Sequence, residues 1–91
     1  MVTYSRNRLI INGDMDDSLL MLHLEKGRYF SLDGVAKRIW ELVECPKGFE
    51  ELISDLMIEF EVSETQCRHE VVAFLDKAIQ DDILIRHDAT S

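Results

Sequence analysis

The chain has 91 residues, 31% of them charged and 46% hydrophobic, with a formal net charge of −8 and a sequence pI near 4.7. That size supports one small core, and the reading is a single domain over residues 1–91. The acidic balance argues against nucleic acid and anionic membrane surfaces, whose affinity rests on Lys and Arg. No apolar run approaches the roughly 18 residues of a membrane helix, and the opening "MVTYSRNRLIING" has no signal-peptide h-region. A cytoplasmic location with reduced Cys45 and Cys67 is the expectation.

In chain order, Arg8 to Asn12 reads as a short strand and Gly13 to Ser18 as an acidic loop. Leu19 to Leu24 alternates as a second strand, with Leu20, Leu22 and Leu24 on one face and Leu19, Met21 and His23 on the other. "EKGR" is a hairpin signal, since Gly27 can take the positive φ of a tight turn. The third strand is Arg28 to Leu32, with Phe30 and Leu32 pointing one way and Tyr29 and Ser31 the other. Asp33 is an N-cap whose carboxylate is expected to accept the free N–H groups of the next turn.

The helix after Asp33 buries Val35, Ala36, Ile39, Trp40, Leu42 and Val43, and "CPKG" ends it. Phe49, Leu52, Ile53, Leu56, Met57 and Phe60 form the stripe of a second helix. Ser63 with Gln66 makes a capping box for a third, whose stripe is Cys67, Val71, Phe74, Leu75 and Ala78. "DDILIR" closes the chain as a brief strand or a packed extension. The class is therefore α+β, a winged-helix-like fold in which a three-stranded antiparallel sheet is followed by three helices.

Chemistry is sparse. His23, His69 and His87 are scattered, and Cys67 and His69, two apart on a helix, face different ways. No metal site, cofactor or catalytic residue is expected. Asp16/Asp17 and Asp81/Asp82 read as turn formers and solvated charge, and the four glycines build no phosphate loop. The helical aromatics Trp40, Phe49, Phe60 and Phe74 belong in the core. Tyr29 and Phe30 fit two readings, as plain strand residues or as the edge on which a partner docks. Beside the core stripe of the third helix runs a second one, Arg68, Val72, Leu75, Asp76 and Ile79, which suits either a groove floor or a wide core stripe.

The stretch "LEKGRYFSLDGVAKRIWELVE" resembles the signature of PqqD-like proteins, the leader-peptide recognition elements of ribosomally made, modified peptides. The pattern is an apolar strand, a turn ending in Gly, an aromatic strand, then Leu-Asn or Leu-Asp opening a helix, here Leu24, Gly27, Tyr29, Phe30, Leu32 and Asp33. "FEELISDLMIEFEVS" and "VVAFLDKAIQDDILI" are similar to the family's later segments, so the likeness runs from about residue 8 to residue 86. Asp81-Asp82 departs from it, because a Gly is common before the last apolar residues.

The resemblance implies a binding module without enzyme activity. It takes the leader of a precursor peptide as an added strand on the third strand, packed against the third helix, and delivers it to modifying enzymes. It looks most like the stand-alone recognition subunit of a lasso-peptide pathway, whose partner is a separate cysteine leader peptidase. The expected peptide-binding residues are Arg28, Tyr29, Phe30, Ser31 and Leu32 on the strand, with Arg68, Val72, Leu75, Asp76 and Ile79 on the helix. Two rival readings are a winged-helix DNA-binding regulator, against which the acidic third helix speaks, and an accessory protein that positions an enzyme without binding the peptide.

Overall fold

The computed structural model describes residues 1–88. The elements in order are β1 (Val2–Arg6), β2 (Ile10–Met15), β3 (Ser18–His23), β4 (Arg28–Leu32), α1 (Gly34–Leu42), β5 (Lys47–Gly48), α2 (Phe49–Glu59), α3 (Glu64–Gln80) and β6 (Leu84–Asp88). The expected antiparallel sheet of three strands is present, in the order β2-β3-β4, followed by the three expected helices. A second sheet, in the order β5-β1-β6, lies outside that expectation. Its main ladder pairs Val2 with Asp88 and Arg6 with Leu84, so strands at opposite ends of the chain meet. Pairing over that separation leaves no local signal, although "VTYS" alternates apolar with polar residues.

The β2–β3 loop is also tighter than expected. β2 runs through Gly13 and Asp14 to Met15, and only Asp16 and Asp17 form the turn. Asp16 takes φ 56°, a conformation that Asp tolerates better than most residues. The β3–β4 turn follows the expectation: Gly27 has φ 64° and its N–H reaches the His23 carbonyl at 2.8 Å. Asp33 occupies the N-cap of α1, but its side chain accepts no hydrogen bond there, contrary to the expected cap. Ser63 does cap α3, its Oγ accepting from the Gln66 N–H at 3.1 Å.

Leu19, Met21 and His23 are the buried face of β3 and meet a core of Ile39, Trp40, Val43, Leu52, Leu56, Val71, Leu75 and Leu84. Cys67 lies in that core, where burial pushes its thiol pKa up, while Cys45 is exposed. Arg6 ties β1 to α1: its guanidinium stacks 4.5 Å from the Trp40 ring centroid and its Nε donates to the Trp40 carbonyl at 3.0 Å. Leu52 has no exposed surface, so Leu52→Ala is expected to destabilise the fold by about 2–5 kcal/mol in urea titration. Ile58→Ala, at a side chain 84% exposed, should stay within about 0.5 kcal/mol of wild type.

Candidate peptide-binding groove

The β2–β3–β4 sheet ends at β4, whose outer edge pairs with no other strand among the described residues. The phase of the ladder decides what that edge presents. The Leu24 N–H donates to the Leu9 carbonyl at 2.8 Å, so Leu22 and Leu20, each two residues further along, also bond toward β2. Leu19, Met21 and His23 then bond toward β4, and their partners are Leu32, Phe30 and Arg28. Tyr29 and Ser31 are left, with their N–H and C=O groups pointing off the open edge. An extended peptide can satisfy such groups by adding a strand.

Beside this edge lies a cleft of about 130 Å³ between β4 and α3, lined by Phe30, Ser31, Leu32, Phe74, Lys77, Ala78, Asp81 and Ile83. Its floor is apolar. At its mouth Lys77 Nζ pairs with Asp81 Oδ2 at 3.1 Å, so one cation and one carboxylate flank the entrance. Arg28 arches over the Phe30 ring, 5.5 Å from its centroid, at the end of the strand. A strand added to β4 would project alternate side chains into this cleft.

The ten expected residues separate into two places. Phe30, Ser31 and Leu32 line the cleft, and Arg28 and Tyr29 complete the same strand. The helical half does not join them. Leu75, Asp76 and Ile79 line a different hollow with Tyr4 and Arg86, on the flank of α3 that faces β1 and β6. Val72 shares that flank by helical spacing. Arg68 is bound elsewhere, through a bidentate pair with Glu50 at 2.7 and 2.8 Å and a third bond to Glu64 at 3.1 Å, which ties α2 to α3. The structure does not bring this flank together with β4: α3 turns its opposite flank, Phe74, Lys77, Ala78 and Asp81, toward β4. These four follow i, i+3, i+4, i+7 spacing, a row that shares only Phe74 and Ala78 with the core stripe. Which of two stripes faces the strand depends on how the helix crosses the sheet.

A polar clamp, buried at His23 and half-exposed at Asp82, holds the cleft's end together. His23 is fully buried, accepts the Lys26 N–H on Nδ1 at 3.1 Å, and therefore donates from Nε2 to Asp82 Oδ2 at 3.0 Å. Asp82 has φ 62°, the conformation for which glycine is favoured. Its carbonyl accepts from Asn7 Nδ2 at 2.8 Å. The β3–β4 turn, the end of α3 and the β1–β2 junction thus meet at one point. The hydrogen bond from His23 holds the Asp82 carboxyl below the usual carboxylate range. A depressed pKa contributes stability above the unfolded value and loses it as pH falls through the folded one. Acidification below about pH 4 should therefore destabilise wild type more steeply than Asp82→Asn, which also tolerates a positive φ, in thermal melts across that range.

The sequence profile of the family described as "Coenzyme PQQ synthesis protein D (PqqD)" matches residues 18–84, the span from β3 to the start of β6. The chain belongs to the PqqD family. This PqqD-family chain is also similar to a solved structure described as TbiB1 in complex with the TbiA(beta) leader peptide. The TM-score is 0.82 at 29% identity, over 94% of this chain and 99% of that one. A second, described as lasso peptide synthetase B1 complexed with the leader peptide, aligns with TM-score 0.79 over 90% of this chain and 96% of that one. At 17% identity it speaks for the fold alone. Among curated proteins none matches the sequence. Among the described residues no group of three or more His, Cys, Asp and Glu is placed to hold a metal ion, and no helix is long and apolar enough to cross a membrane.

Proposed function

We propose that this PqqD-family chain is a non-catalytic recognition module, working in the cytoplasm, for the leader of a ribosomally made precursor peptide. The leader adds as a strand to β4 and sets apolar side chains into the cleft against α3. The module then delivers it to a separate leader peptidase or another modifying enzyme of a lasso-peptide-like pathway. The observation that carries this reading is the juxtaposition of an open strand edge, at Tyr29 and Ser31, with an apolar cleft directly beside it. The family membership and the leader-bound relative at 29% identity support it. The DNA-binding alternative is disfavoured, because Arg68, a cation on α3, is already held by two carboxylates. The test is fluorescence polarisation with a labelled leader from the precursor gene neighbouring this one, followed by mass analysis of the precursor. Saturable binding with an intact precursor is expected. No binding, or leader cleavage by the purified chain alone, would overturn the proposal.

A further inference from the structure

One carboxylate in the cleft beside β4 stands where its helix disfavours it. Asp81 is the C-cap of α3, and its N–H donates to the Lys77 carbonyl at 2.8 Å. The helix dipole puts partial negative charge at this end, which favours cations and opposes carboxylates. Asp82, the next residue, has its carboxylate held by the buried His23. Asp81 has one partner among the described residues, Lys77 Nζ, at 3.1 Å from Oδ2. The pair is lopsided: the Lys77 side chain is 75% exposed and the Asp81 side chain 11%. Expected from the sequence as solvated charge, Asp81 is instead set into the wall of the cleft, with Phe30, Phe74, Ala78 and Ile83.

A strand added to β4 covers the cleft and takes water from this carboxylate. Removing solvent from a charge is costly unless a counter-charge and hydrogen bonds replace it. Lys77 does not supply them all, since Oδ1 of Asp81 has no described partner. A Lys or Arg side chain on the leader meets each requirement. Its aliphatic stem suits the apolar floor while its head stays at the rim. Its charge offsets both Asp81 and the helix terminus. An acidic leader side chain is repelled by both, and a neutral donor brings a hydrogen bond without a counter-charge. Arg28 does not fill this role, because it lies over the Phe30 ring and outside the cleft lining. The net charge of −8 favours a ligand of the same sign as the one Asp81 selects.

We infer that Asp81 is a specificity-determining residue of the groove, pairing with a Lys or Arg side chain that the leader's added strand projects into the cleft. The inference rests on the leader-binding reading above. Lys77 is then a placeholder: it neutralises Asp81 in the free protein and swings into solvent when the leader's cation arrives. Leaders that carry an apolar residue or a carboxylate at that position are discriminated against.

The experiment is a double-mutant cycle read by fluorescence polarisation on the full chain, with circular dichroism as the folding control. The probes are the labelled leader from the neighbouring precursor gene and a series in which each of its Lys and Arg residues is replaced in turn by Met. Asp81→Asn keeps the shape and removes the charge, and should raise the Kd for the natural leader about tenfold. One Met-substituted leader should lose a similar factor on the wild-type chain and lose nothing further on Asp81→Asn. Lys77→Met frees the carboxylate and should tighten natural-leader binding by roughly two- to fivefold. The leader series on the wild-type chain keeps the test decisive even if Asp81→Asn does not fold: if no Met substitution weakens binding, the inference is wrong. Weakening by Asp81→Asn that is equal for every leader, or a loss of affinity in Lys77→Met matching that of Asp81→Asn, would make the pair a structural tie and overturn it too. Each of these results leaves the proposed function standing, since the wild-type chain still binds the leader. A wild-type chain that fails to bind the leader overturns the proposed function, and this inference with it.

Discussion

Ser31→Pro and Tyr29→Pro should each remove most leader binding while leaving the protein folded. Both residues direct their N–H off the open edge of β4, so proline deletes no bond of the native sheet. The incoming strand loses a main-chain partner and meets the pyrrolidine ring, and its Kd should rise at least about tenfold, or roughly 1.4 kcal/mol. Phe30→Pro is the contrasting case. It deletes the ladder bond to Met21, which has no exposed surface, and places a ring where β3 must approach. In a domain whose whole stability is of order 5–15 kcal/mol, that variant should lose its cooperative thermal transition. Fluorescence polarisation and circular dichroism on the three variants separate an edge site from a general requirement for β4.

The second large effect concerns the two flanks of α3. Phe74 walls the cleft beside β4, and Phe74→Ala should raise the leader Kd by roughly 1–2 kcal/mol, about five- to thirtyfold. Val72→Asp places a charge on the flank turned away from β4, at a side chain 46% exposed, and should leave leader affinity unchanged. The opposite ranking would put the peptide on the far flank, in the hollow formed by Leu75, Ile79 and Tyr4.

The same two flanks mark how far the sequence could be read. Arg28–Leu32 was legible to its end residues, because Gly27 sets the turn and the alternation of Phe30 and Leu32 with Tyr29 and Ser31 sets the faces. All three helices were legible from their apolar stripes and from the cap at Ser63. α3, however, carries two stripes that overlap at Leu75, and choosing between them requires the packing of the helix against the sheet. Phe74 therefore read as core alone, although it is half-buried and faces the cleft.

Other features were hidden for different reasons. The pairing of Val2–Arg6 with Leu84–Asp88 is a long-range event between the two ends of the described chain. Gly13 and Asp14 read as loop because both residue types are rare in strands, yet they continue β2 to a turn of only two residues. Asp82 read as solvated charge. Its role depends on His23, which lies 59 residues earlier and is aimed at it from a buried position.

Amide hydrogen exchange along β4, with and without the leader, tests the central claim most directly. Phe30 and Leu32 already donate to β3, and their exchange should be slow in both states. Tyr29 and Ser31 should exchange rapidly in the free protein and become protected when the leader is bound. If both amides stay as fast in the saturated complex as in the free protein, the leader does not add to β4 and the account is wrong.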